Sequence, residues 1–293
     1  MLILLMKKVY KSKQGEAAMT ELYDRQLKAL NMEYEELFAE TRFGKTHLIK
    51  SGNPNGKPVL MFHGGNSTTP YNLAGFTALL DKFCVYAADT IGHPGKSAQT
   101  VLSAKTTEYG DWAADLIDGL GFQKMTCIGG SYGGGILVKL MCTAPEKIEK
   151  SILIVPSGIA NVSVFNVAVE MGIPMLLYTL TKKDYWLKKA ILPMAVAAEN
   201  IDESTLEMVK GSFDHSVVKA AMPSNARSGK LKMCTAPTLL IAAENDCLFP
   251  CKKIIKRAEN LLPDIETVLL RNQGHLCVLP ANVMDIISEF IAG

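Results

Sequence analysis

The sequence predicts an α/β protein: a doubly wound, mostly parallel sheet with an all-helical insertion. Three observations predict it. Short apolar runs recur at Pro58–Phe62, Cys84–Ala88, Met125–Ile128, Ser151–Val155 and Thr238–Ala242, and such runs suit strands covered on both faces. Longer segments with helical spacing separate them, so strand and helix alternate. The alternation breaks once, over 159–225, where helical patterns follow one another without a convincing strand.

Residues 16–39 read as a helix, because Ala17, Leu22, Leu27, Leu30 and Leu37 recur at broadly helical spacing among charges. Thr46–Ile49 reads as a short strand, and Ser51-Gly52-Asn53-Pro54-Asn55-Gly56 as a turn. The strand Pro58–Phe62 runs into His63-Gly64-Gly65. A helix then opens at Pro70, with Thr69 as its cap, and runs to Lys82. Further helices are expected over Glu108–Leu120 and Tyr132–Cys142. Beyond the insertion come the strand Thr238–Ala242, a helix over Cys251–Leu261, the strand Thr267–Leu270 and a last helix over Val283–Ile291. The organisation that follows is an N-terminal extension with a helix (1–44), a core (45–158 and 226–293) and a helical cap (159–225). The cap carries Met171, Met175, Met194, Met208 and Met222. A methionine-rich surface suits a non-polar ligand, although any one of them is more simply the cap's own core.

Composition narrows the class. With 48% hydrophobic and 20% charged residues, the 293-residue chain resembles an ordinary globular protein. A net charge of +2 gives no reason to expect nucleic acid or an anionic membrane as partner. Seven cysteines, several inside apolar runs, suggest reduced thiols in a cytoplasmic protein rather than a disulfide framework. Cys247 and Cys251 are spaced CxxxC, but no second ligand pair follows at zinc-finger spacing, so no metal and no cofactor is expected. The opening MLILLM precedes Lys7 and Lys8 instead of following positive charge, and is too short to span a bilayer. It is expected to pack or fray.

The chemistry concentrates at Gly129-Gly130-Ser131-Tyr132-Gly133, a G-x-S-x-G run between a strand and a helix. A serine on so sharp a turn adopts a strained backbone conformation. Side chains at 129, 133 or 134 would collide there, and all three positions are glycine. The new helix points its N-terminus at the serine, so the Tyr132 N–H is a candidate oxyanion donor. The phosphate-loop alternative fails for want of a G-K-[ST] ending. The loop after Phe62 is the candidate source of the second donor, from Gly65 or else Gly64, with His63 structural. Asp246 follows the strand Leu239–Ala243 and is the candidate acid, with Glu244 its neighbouring rival. His275, 29 residues further on, is the candidate base. His47 precedes the strong strands, His93 lies in a Gly/Pro loop, and His215 lies in the cap, where it could reach a substrate. A serine hydroxyl needs such a base to become a nucleophile, and imidazole can take and return the proton near neutral pH.

HGG, GGSYGG, END and GH occur in an order that resembles the α/β-hydrolase superfamily, in particular its lidded esterase and peroxidase-like members. The likeness covers roughly residues 45–293. It implies an α/β-hydrolase fold with a cap and a Ser131, Asp246, His275 triad. Asp89-Thr90-Ile91-Gly92-His93-Pro94-Gly95-Lys96-Ser97 resembles the superfamily's D-x-x-G-x-G-x-S loop with one extra residue. Relatives with an aspartate nucleophile are disfavoured by Ser131. The expected activity is cleavage of a small or medium carboxylic ester, with a small-molecule substrate bearing an apolar acyl group. The same triad could serve amide, carbon–carbon or perhydrolysis chemistry, and a ligand-binding signalling protein on a hydrolase scaffold is the non-enzymatic alternative.

Overall fold

A computed structural model describes residues 8–161, 165–219 and 221–293; the MLILLM run lies outside them. The chain forms one eight-stranded sheet, ordered β1-β2-β4-β3-β5-β6-β7-β8. Its strands are β1 (Tyr34–Thr41), β2 (Gly44–Gly52), β3 (Pro58–Phe62), β4 (Cys84–Ala88), β5 (Met125–Gly130), β6 (Ile148–Ile154), β7 (Thr238–Ala243) and β8 (Ile265–Leu270). β1 and β2 pair antiparallel, β2 pairs antiparallel with β4, and the rest of the sheet is parallel. The central strands β3, β5 and β7 are apolar on both faces because helices cover both.

The core helices are α1 (Lys13–Ala29), α2 (Thr69–Leu73), α3 (Glu108–Gly119) and α4 (Tyr132–Thr143). The insertion contains α5 (Phe165–Thr181), α6 (Asp184–Ala195) and α7 (Glu203–His215), followed by α8 (Ser228–Leu231), α9 (Cys251–Leu261) and α10 (Ala281–Ala292). Trp112 on α3 is fully buried against the sheet and donates from its indole to Thr46 Oγ1 at 2.9 Å. The insertion's two ends are tied together: the Ala226 N–H donates to Gly158 O at 2.7 Å, and Asn161 bonds both Pro223 and Asn225.

Two expectations are corrected. The helix expected over 16–39 ends at Ala29, and Tyr34–Thr41 is instead the edge strand β1. The residues of β1 are largely exposed, so their apolar spacing carried no core signal. The extension expected over 1–44 is therefore partly sheet. The helix expected from Pro70 to Lys82 with Thr69 as its cap is a short α2 preceded by Thr68, then a 3₁₀ turn over Ala74–Leu79. No helix among the described residues is long and apolar enough to cross a membrane.

Candidate active site

β5 delivers the chain to Ser131, whose φ is +51° and ψ −112°. This positive φ is held by bonds around it. The Ser131 N–H donates to Ile154 O at 2.9 Å, and its carbonyl accepts from the Gly135 and Ser157 N–H groups at 3.1 and 3.0 Å. The flanking glycines are required sterically: a Cβ on Gly129 would lie 2.5 Å from Gly133 O, and one on Gly133 would lie 2.2 Å from Phe62 O on β3.

Asp246 sits past β7, its side chain wholly buried. One carboxylate oxygen accepts from the Leu248 and Phe249 N–H groups at 2.8 and 2.9 Å. The other lies 3.0 Å from His275 Nδ1. A carboxylate only accepts, so Nδ1 carries the proton and Nε2 presents a lone pair. Nε2 lies 2.8 Å from Ser131 Oγ. Serine, histidine and aspartate thus form one unbroken relay, with the Phe249 ring edge-on to the imidazole at 5.3 Å. Glu244 faces elsewhere, accepting from the Asn272 N–H at 2.9 Å to fasten the turn ahead of His275.

The donors opposite Ser131 also sort themselves. The Gly64 N–H is occupied, donating to Asn72 Oδ1 at 3.0 Å. The Gly65 N–H donates to no protein atom among the described residues. Gly65 lies against Tyr132, so close that a Cβ there would come within 3.1 Å of the tyrosine Cβ. Tyr132 opens α4, where an N–H has no partner within its own helix. His63 is a structural brace: Nδ1 donates to Gly64 O at 2.7 Å and Nε2 accepts from the Thr90 N–H at 3.0 Å. Burial pushes its pKa down and keeps the ring neutral. His215 lies away from the relay, its carbonyl accepting from the Lys11 N–H and its backbone abutting Gly15.

Sequence reasoning missed several supporting residues. Asn66, left-handed at φ +54°, clasps the backbone of Lys219: its Oδ1 accepts from the Lys219 N–H at 2.7 Å and its Nδ2 donates to the Lys219 carbonyl at 3.1 Å. The available signal was an asparagine directly after the two glycines, since asparagine tolerates that conformation. A second unseen network sits at the end of β4. His47 Nδ1 lies 2.9 Å from Asp89 Oδ2, and its Nε2 lies 2.9 Å from Glu36 Oε2. His47 thus bridges the Asp89 and Glu36 carboxylates through its two ring nitrogens. Burial alone would raise the Asp89 carboxyl, but bonds from His47 and the Lys96 N–H outweigh it and hold it below its usual range. Its partners converge from positions too far apart in sequence to be read as a motif.

The cap methionines divide. Met175 and Met194 pack among Tyr178, Leu187 and Ile191, Met208 packs against Met19 and Leu22 of α1, and Met222 packs on the main core. Met171 belongs to none of these clusters and is half-buried. All seven cysteines are free. Among the described residues no three His, Cys, Asp or Glu side chains gather as metal ligands would.

A strand–serine–helix elbow on this strand order, with serine, aspartate and histidine in chain order at the ends of three strands, gives the chain the α/β-hydrolase fold. The family model described as the alpha/beta hydrolase fold matches residues 57–200. Carboxylesterase YbfK of Bacillus subtilis is 28% identical over 285 residues, covering 93% of each chain. Among solved structures, naproxen esterase from the same organism superposes with a TM-score of 0.80 at 22% identity, over 96% of this chain and 99% of that one. Carboxylesterase CesB (YbfK) gives 0.77 at 24% identity, over 96% and 99%.

Proposed function

We propose that this protein is a carboxylesterase working through an acyl-enzyme on Ser131. The observation that carries the reading is the relay Ser131 Oγ–His275 Nε2 at 2.8 Å and His275 Nδ1–Asp246 Oδ2 at 3.0 Å, set behind a strained elbow. The names of two relatives matched over nearly their whole length, carboxylesterase YbfK and naproxen esterase, support an ester as substrate.

In this reading His275 takes the hydroxyl proton as Ser131 attacks the ester carbonyl. The Asp246 carboxylate holds the Nδ1–H tautomer and stabilises the imidazolium. The Gly65 and Tyr132 N–H groups bind the oxyanion of the tetrahedral intermediate, a contribution worth about 2.7–4 kcal/mol per donor. His275 returns the proton to the departing alcohol. Water, activated by the same histidine, then attacks the acyl-enzyme and releases the carboxylic acid. No step needs a cofactor.

Residues 159–225 act as the cap, excluding water from the acyl-enzyme and shaping the acyl pocket. Among the described residues Met171 is the cap methionine outside every apolar cluster, so it is the candidate lining residue for an apolar acyl chain. A reducing, cytoplasmic setting suits seven unpaired thiols.

The test is labelling with a fluorophosphonate, followed by a panel of nitrophenyl esters of increasing acyl length with anilides and lactones. The expected result is stoichiometric labelling and preference for esters, both lost in Ser131→Ala. Rapid turnover of anilides with slow ester cleavage would move the activity to amide bonds. Absence of labelling in folded protein would favour a ligand-binding role.

A further inference from the structure

Helix α5 is unusual for a surface helix. Over 17 residues it carries one charged side chain, Glu170. Its exposed apolar side chains recur at Val169, Ile173, Leu176 and Leu180, a spacing of four, three and four that lines them along one stripe. They are far from incidental surface residues: Ile173, Leu176 and Leu180 are 59%, 60% and 73% exposed. Monomeric proteins rarely leave such a row to water unless something covers it.

The end of this stripe is basic. Lys182, Lys183, Lys188 and Lys189 are exposed at the turn into α6 and along its first turns. Lys182 is paired with Asp214, and the neighbouring Asp184 is paired with Lys210. Lys183, Lys188 and Lys189 have no carboxylate partner among the described residues. Tyr185, 58% exposed, lies among them, and Lys189 Nζ sits 5.3 Å from its ring centroid and 5.7 Å from that of Trp186. An apolar helix face bordered by aromatic rings and unpaired lysines is the composition of a helix lying in a membrane interface.

We propose that the α5–α6 hairpin docks this protein on an anionic lipid surface, with the α5 stripe at the acyl boundary and Lys183, Lys188 and Lys189 among the headgroups. Charge selects this occupant over a second copy of the chain. Whichever way the two α5 helices ran, an isologous contact through this face would be like-charged, six lysines without carboxylate partners against one Glu170 on each α5. An anionic bilayer complements all three at once. The helix is about 25 Å long at 1.5 Å per residue, too short to span, so it lies in the plane of the surface. The overall charge of +2 hides this, because the lysines are balanced elsewhere in the molecule and only their local density matters to a surface.

The proposal is independent of the ester reading. The test is co-sedimentation of the full chain with phosphatidylcholine vesicles, with and without phosphatidylglycerol, in low salt. Expected is binding to the phosphatidylglycerol vesicles, reversed by added salt. K188E with K189E should weaken it about tenfold or more, since each basic residue near such a surface contributes on the order of 1 kcal/mol. L176S with L180S should weaken it comparably, while both variants hydrolyse a short, water-soluble nitrophenyl ester as the parent does. Equal partitioning to both vesicle types, or variants that bind as the parent, would overturn the proposal. So would a dimer in analytical ultracentrifugation that L180S dissociates, because a second copy would then cover the stripe. Vesicle binding by a protein inactive on every ester would leave the proposal standing and remove the ester reading alone.

Discussion

Ser131 holds a backbone conformation that an L-residue avoids, at a cost of about 1–3 kcal/mol, and three backbone bonds keep it there. Ser131→Ala removes only the hydroxyl, so the variant should keep its melting temperature within a few degrees while losing nearly all ester hydrolysis. Turnover at the parent rate would strip Ser131 of its role. Asp246→Asn should lower kcat by about three to four orders of magnitude through loss of tautomer control. Glu244→Gln should do far less, because Glu244 fastens a turn rather than touching the imidazole; the reverse ranking would reassign the acid. Asn66 directly follows Gly65, and its two bonds to the Lys219 backbone anchor that loop to the insertion. Asn66→Ala should cut kcat by roughly ten- to a hundredfold with little change in KM, as expected when a donor is misplaced by a fraction of an ångström to an ångström. A matching rise in KM with kcat intact would show that it serves binding instead.

Among the elements, the elbow tolerates least. Gly133→Ala would push a Cβ to within 2.2 Å of the Phe62 carbonyl, between two rigid elements, and should yield little soluble folded protein. The insertion tolerates more, and one of its methionines is a candidate for selectivity. Met171→Trp should change the preferred acyl length in a nitrophenyl ester series while sparing the acetate. Met175→Trp should chiefly lower the melting temperature, since Met175 fills a cluster. An unchanged length profile for Met171→Trp would leave the pocket to the loops around Gly65 and Asp89. Legibility followed the same lines. β3, β4, β5 and β7 were readable because buried strands are apolar throughout. The elbow and relay were readable because steric and acid–base demands fix residue types at fixed places. β1 was not, because an exposed edge strand has no apolar alternation to show. Nor was the stripe on α5, since the sequence does not say which apolar residues stay uncovered.

At the scale of the whole molecule, three buried groups make stability depend on pH. His63 and His93 are buried, and burial lowers both pKa values, that of His93 strongly. The unfolded chain therefore takes up protons first as pH falls. Stability is untouched by these groups at neutral pH and declines below about 6.5, the ordinary histidine value. Asp89 has the opposite character as an acid held low. Its stabilisation is complete above about 4 and is lost as pH falls through its lowered folded value. Melting temperature should thus be flat above neutrality, slope down below about 6.5, and fall more steeply in strong acid. Among the described residues neither ring nitrogen of His93 has a hydrogen-bond partner, and its ring lies 4.7 Å from that of Tyr132. His93→Phe should therefore flatten the first slope without loss of stability at neutral pH. A melting profile identical to the parent's between about pH 5 and 7 would acquit His93.

The carbonyl of Met194, at the end of α6, accepts a bond from the Leu276 N–H at 2.9 Å, and Leu276 packs into the cluster shared by α6 and α7. The roof and the base are thus bolted to each other through the residue next to His275. Lifting the helical insertion must therefore either break that bolt or carry the residue beside His275 with it.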